Sequence, residues 1–145
     1  MNMIQSAEMT RARAEAFITS YRAAFERRDV DAIVAHFGAS IHVASDTGEG
    51  VRSNLFTHAE WRSVVEGLVS QYRALDAARA EVRSLDTTGI SPRLFQAAVT
   101  WALFDGGGRE LYEFRAVYTL VAENDAVRVT AIAHDEMAQA RNVAR

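Results

Sequence analysis

The spacing of the apolar residues changes once, near Ala74, and that change constrains the fold more than any other feature of the chain. Before it, apolar residues recur three and four apart, as on one face of a helix. After it they alternate, as on a half-buried strand. From about residue 7 to 28, Phe17, Ile18, Tyr21, Ala24 and Phe25 form one helical stripe. Asp29 is a good N-cap for a short second helix carrying Val30, Ile33, Val34 and Phe37, with Gly38 as its stop. Residues 41–45 read as a strand and residues 46–50 as a turn. Thr57 and Glu60 have the spacing of a capping box ahead of a third helix. Its stripe is Trp61, Val64, Val65, Leu68, Val69 and Tyr72. Beyond Ala74, strands are expected over about residues 78–85, 94–104, 109–122 and 127–136. Loops are expected at 87–92, 105–108 and 123–126. Residues 1–6 and the polar tail at 137–145 are expected to fray. Helices segregated from a run of hairpin-linked strands indicate an α+β fold, and 145 residues suit one domain.

Composition removes several chemistries. There is no cysteine, so thiol nucleophiles, disulfides and zinc–thiolate sites are excluded. All 16 basic side chains are arginine, which excludes a lysine Schiff base and a phosphate-loop lysine. A net charge of −3 argues against a nucleic-acid partner. No stretch approaches the ~20 apolar residues of a membrane span, so no membrane partner is expected. The first six residues lack a basic segment followed by an apolar run, and a cytoplasmic location is expected. The four histidines are scattered without paired spacing, so no metal site is expected.

Alternation assigns the sheet faces. If the glycine-rich hairpin sets Phe104 opposite Arg109, then Trp101 faces Tyr112, Val99 faces Phe114 and Phe95 faces Tyr118. That aromatic face should lie on the helices. The opposite face mixes Gln96, Thr100, Glu113, Arg115 and Thr119 with Ala98, Ala102, Leu111 and Val117, a composition suited to a subunit interface. If the last hairpin sets Ala122 opposite Val127, Asp135 falls on the aromatic face, opposite Phe114. His134 then falls on the mixed face, opposite Arg115, near Glu113 and Glu136. A single β-bulge would exchange the two.

Residues 21–25 (Tyr-Arg-Ala-Ala-Phe) and 29–37 (Asp-Val-Asp-Ala-Ile-Val-Ala-His-Phe) resemble the first two helices of ketosteroid isomerase. They are also similar to the nuclear-transport-factor-2-like superfamily, including its SnoaL-like members. The remaining elements agree in order. The resemblance implies a cone-shaped barrel, with three N-terminal helices on a strongly curved, mostly antiparallel sheet. It also implies an apolar pocket for a small hydrophobic molecule, acid–base chemistry without a cofactor, and a homodimer formed through the sheet. The chemistry would be of isomerase, cyclase, dehydratase or epoxide hydrolase type. A non-catalytic ligand-binding or interaction module of the same fold is the alternative, because a fold does not fix a function.

By this resemblance Tyr21 matches the tyrosine that donates a hydrogen bond to a developing oxyanion. Read from the residues alone, it is equally a core tyrosine with a backbone partner. The position of the isomerase's aspartate base falls on Ser45, which cannot act as that base, and Asp46 is adjacent. The isomerase's second acid falls near residues 116–118, where Tyr118 could donate instead. Two of three catalytic positions depart, so a steroid isomerase is not expected. Asp135, if desolvated among aromatics, becomes the other candidate acid; if it reaches water at the strand end, it does not. The candidate catalytic residues are therefore Tyr21, Asp46 and Asp135. The candidate pocket lining is Phe17, Phe25, Phe37, Trp61, Trp101, Tyr112, Phe114 and Tyr118.

Overall fold

The computed structural model describes residues 2–143. Helix α1 runs Met3–Glu26, α2 Val30–Val34 and α3 His58–Leu75. The strands are β1 Phe37–Asp46, β2 Val51–Thr57, β3 Ala77–Ser91, β4 Leu94–Asp105, β5 Glu110–Glu123 and β6 Ala126–His134, and helix α4 follows at Glu136–Val143.

Local chemistry accounts for the helix ends. Asp29 accepts from the Ala32 amide and starts α2. Thr57 and Glu60 cap each other's backbone amides at the start of α3. A second capping box, between Asn2 and Gln5, starts α1 earlier than the apolar stripe suggests, so residues 3–6 are helical rather than frayed. The expected polar tail is likewise helical through Val143; the rest of it lies outside the described residues. Gly38 does not stop α2. Ala35 caps it, and Gly38 already belongs to β1.

The six strands form one open sheet in the order β2-β1-β6-β5-β4-β3. All neighbours are antiparallel except β1 and β6, which run parallel. Together with the helices packed on one face, this is the α+β cone expected, with free edges at β2 and β3. Two segments outside the expected strands are also strand. Residues 51–57 form exposed edge strand β2, which has no buried face to betray it. Residues 87–91 extend β3 along β4. β3 has three register shifts, near Ala77, Val82 and Gly89. Such irregularities bend a strand, and here they let the sheet curl around the helices.

The hairpin registers differ from the simple alternation. In β4 and β5, Trp101 lies opposite Phe114 and Val99 opposite Ala116, two residues from the expected pairing. The loop is one residue longer than supposed, and a bulge at Leu111 adds another. Two one-residue steps restore the face, so Phe95, Trp101, Tyr112, Phe114 and Tyr118 remain buried together. The last hairpin begins as expected, with Ala122 opposite Val127, but the register then steps between Thr119 and Leu120. This single step sets His134 opposite Ala116 and turns it onto the aromatic face. Asp135 leaves that face: its amide donates to Arg115 O, and its carboxylate accepts from the Arg115 amide at 2.8 Å.

The core lies between the helices and this face, from Phe17 and Phe25 of α1 to Phe95, Val99 and Leu120 of the sheet. On the outer face, Ser84 bonds Thr100, Gln96 bonds Thr119, and Arg83 pairs with Glu110 and Glu113.

Candidate functional site

The core is not filled completely. A cavity of about 130 Å³ remains among α1, α3, α4 and the inner faces of β4, β5 and β6. Its volume is close to the ~150 Å³ that holds a benzene ring in an engineered protein cavity. The walls are largely aromatic, with Tyr21, Phe25, Trp61, Tyr72, Trp101, Tyr112, Phe114 and Tyr118. Met137 and Ala140 of α4 and Gln71 of α3 add to the lining, together with His134 and Glu136 at the end of β6 and the start of α4.

Glu136 is the ionisable group that defines this space. It is 8% exposed, although it is a carboxylic acid. Its Oε2 accepts hydrogen bonds from Tyr72 Oη at 2.8 Å and Tyr112 Oη at 2.9 Å. Among the described residues no cation pairs with it. Burial raises its pKa, the two phenols lower it, and neighbouring Asp135 raises it slightly; the result is about 7. A carboxyl group in this range is half-ionised at neutral pH and can take or give a proton.

His134 supports it. The Glu136 amide donates to His134 Nδ1 at 3.2 Å, so the ring proton sits on Nε2. From there it is shared with Ser45 Oγ at 3.0 Å. Burial lowers the pKa of His134 and keeps the ring neutral. Ser45, at the position where the resemblance puts a base, is therefore a buried partner of a neutral imidazole.

Three further groups face the same space. Tyr21 lines the cavity, and its hydroxyl has no hydrogen-bond partner among the described residues. Burial raises its pKa, and the charge of Glu136 adds to the shift. Trp101 Nε1 donates to Tyr118 Oη at 3.0 Å, which fills an acceptor site of Tyr118 and leaves its own proton to point elsewhere. Burial likewise raises the pKa of Tyr118 and of Tyr72. All these phenols are neutral hydrogen-bond donors at any ordinary pH.

Tyr21, Phe25, Trp61, Trp101, Tyr112, Phe114 and Tyr118 all border the cavity. Phe17 and Phe37 do not. They are buried behind it, Phe17 stacked on Tyr21 at 5.8 Å and Phe37 against Trp61 at 5.1 Å. Asp46 lies outside the cavity, where its carboxylate accepts from the Gly48 amide in the β1–β2 turn. Asp135 also lies outside, for the register reason given above. The pocket acid is instead Glu136, which the sequence had placed with Arg115 and Glu113 on the outer face. A glutamate two residues after a histidine, just past the end of the last strand, was a visible signal, but its face depended on the bulge. The remaining histidines lie away from the cavity. His36 bonds Ser20 and Ala32 O, His42 bonds Ser53, and His58 bonds Val34 O. Among the described residues no group of three metal-ligating side chains comes together, and no helix is long and apolar enough to cross a membrane.

A family model described as "NTF2-like protein (DUF6841)" matches residues 8–137. No curated protein matches the sequence. Several solved structures share the fold. A protein of unknown function with a cystatin-like fold from Nostoc punctiforme superposes with a TM-score of 0.67 at 8% identity, covering 86% of this chain and 89% of that one. An NTF2-like protein of unknown function from Pseudomonas putida gives 0.66 at 14% identity, covering 87% of each chain. One from Shewanella oneidensis, also of unknown function, gives 0.65 at 10% identity, covering 86% of this chain and 97% of that one. At these identities the likeness is one of fold alone.

Proposed function

The chain belongs to the NTF2-like family, and from that premise we propose that it binds a small, largely apolar molecule in the cavity and moves a proton on it through Glu136. The observation that carries this reading is the buried Glu136 carboxyl group, poised near neutral pH inside an aromatic chamber. In its ionised form it takes a proton from the ligand; in its acid form it returns one. Tyr21, whose hydroxyl is uncommitted, is the donor to a ligand oxygen on which charge develops. Tyr72 and Tyr112 hold the carboxylate in place. The side chains themselves carry the chemistry, which suits isomerisation, cyclisation or dehydration better than group transfer. The cavity volume restricts the ligand to about one ring, smaller than a steroid.

A thermal-shift screen of one-ring molecules tests the pocket, because a ligand that binds only the folded chain raises its melting temperature. NMR-detected deuterium exchange into the ligands that bind then tests proton transfer. A shift with exchange that disappears in Glu136→Gln is the expected result. No shift across the panel overturns the pocket reading. Binding without exchange leaves a binding protein rather than an enzyme.

The homodimer belongs to the same proposal. Ala98, Leu111 and Val117 give the outer sheet face half-buried or exposed apolar surface between polar pairs. Light scattering is expected to give twice the 16.0 kDa of the chain, and Val117→Arg to give the monomer. A wild-type monomer rejects this part.

A further inference from the structure

We infer that the cavity selects a small organic cation, an ammonium group borne on about one hydrophobic ring, with Glu136 as its counter-ion. This rests on the cavity being the binding site, but not on turnover. Three features of the site point to a cation. First, aromatic rings line the walls on several sides, from Phe25 of α1 and Trp61 and Tyr72 of α3 to Tyr112 of β5. Aromatic faces carry partial negative charge and attract ammonium groups once water is excluded. Second, the chamber holds one carboxylate and, among its described lining residues, neither arginine nor lysine. Third, both phenols that bond Glu136 donate to Oε2, so Oε1 is left without a hydrogen bond among the described residues. A buried carboxylate with one uncommitted oxygen and no counter-ion is complemented by a cation carrying N–H donors.

The surrounding titratable groups do not oppose this. Tyr72 on α3, Tyr112 and Tyr118 on β5 and Tyr21 on α1 remain neutral, because burial raises their pKa values. His134 on β6 is held neutral by burial and by the Glu136 amide on Nδ1, so it adds no competing positive charge. Asp135 lies outside the cavity, and its negative charge favours a cation within.

Three probes of one size separate the possibilities: benzylamine as the ammonium, benzyl alcohol as its neutral counterpart and benzoate as the anion. Calorimetry on the full chain at pH 8 is expected to show benzylamine binding at least tenfold more tightly than benzyl alcohol, and benzoate most weakly of the three. Benzylamine stays an ammonium from pH 8 to 5.5. Its affinity should nevertheless fall about 30-fold over that range, the ratio of ionised Glu136 at the two pH values for a pKa of about 7. Benzyl alcohol should change little. In Glu136→Gln, checked for folding by its melting curve, the two affinities should come within threefold of each other. If that variant does not fold, the wild-type pH series decides alone. Discrimination below threefold at pH 8, a flat pH series, or a preference that survives in Glu136→Gln overturns the inference while leaving the pocket standing. Failure of all three probes to bind overturns both.

Discussion

Tyr72 Oη donates a 2.8 Å hydrogen bond to Glu136 Oε2, joining the last turns of α3 to the first residue of the final helix. Tyr112 donates to the same oxygen from β5. Two phenols thus hold a carboxylate that burial alone would drive further towards its acid form.

Tyr72→Phe and Tyr112→Phe each remove a donor that favours the ionised form. Each is expected to move the pKa of Glu136 above about 7. Each should also cost about 1–3 kcal/mol of stability at alkaline pH, where the carboxylate is charged. A carboxyl-carbon NMR titration reads the first effect and urea denaturation the second. An unchanged titration midpoint would show that the phenols do not set the proton affinity.

The raised pKa of Glu136 has a definite sign in stability. The folded chain holds this proton more tightly than the unfolded chain. The stability it contributes is therefore full below the ordinary value of 4.5 and is lost as pH rises towards about 7. The loss is roughly 3 kcal/mol for a fully buried group. Unfolding free energies from urea titrations should fall between pH 5 and pH 8 by about 2–3 kcal/mol more in the wild type than in Glu136→Gln. Equal falls in the two proteins would contradict the burial argument.

His134 acts in the opposite direction. Its pKa is lowered by burial, so the stability it contributes is present above the ordinary 6.5 and is lost as pH falls below it. Nitrogen-15 NMR is expected to show the Nε2–H tautomer, because Nδ1 accepts the Glu136 amide, and a titration midpoint below the ordinary 6.5. Ser45→Ala leaves that Nε2–H buried without its acceptor and is expected to cost about 1–3 kcal/mol. A midpoint at or above 6.5 would refute the assignment.

Helix α4 is fastened to the β1–β2 turn by Arg141, which donates to Thr47 O at 2.9 Å and pairs with Glu49 at 2.6 Å. Because α4 supplies Met137 and Ala140 to the cavity wall, loosening it should open the chamber. In Arg141→Ala, the amides of residues 139–143 are expected to exchange with deuterium at least tenfold faster, while those of β4 and β5 keep their wild-type rates. Unaltered exchange in α4 would assign its docking to Glu136 and the apolar contacts alone.

Much of this architecture can be read along the chain because it rests on local rules. Asp29 and the pair Thr57 and Glu60 mark helix starts, since a side-chain oxygen placed there satisfies otherwise unpaired amides. The alternation of Phe95, Trp101, Phe114 and Tyr118 marks the buried face of the sheet, and most of the cavity lining follows from it. Edge strand β2 could not be read in this way. Its residues are exposed or nearly so, and only pairing with β1 makes them a strand.

The acid of the site was decided by tertiary structure. Side chains on a strand alternate with a period of two, so one extra residue exchanges the faces of everything beyond it. In β4 and β5 two such steps cancel, and the aromatic face survives an incorrect register. In β6 there is one, between Thr119 and Leu120 of its partner strand, and nothing cancels it. Composition and periodicity put a histidine and two acids at the end of the last strand, whereas β6 stops at His134 and Glu136 opens α4. The bulge, fixed by pairing with β5 on one side and β1 on the other, puts His134 in the chamber and Asp135 outside, and the turn into α4 brings Glu136 back to the two tyrosines.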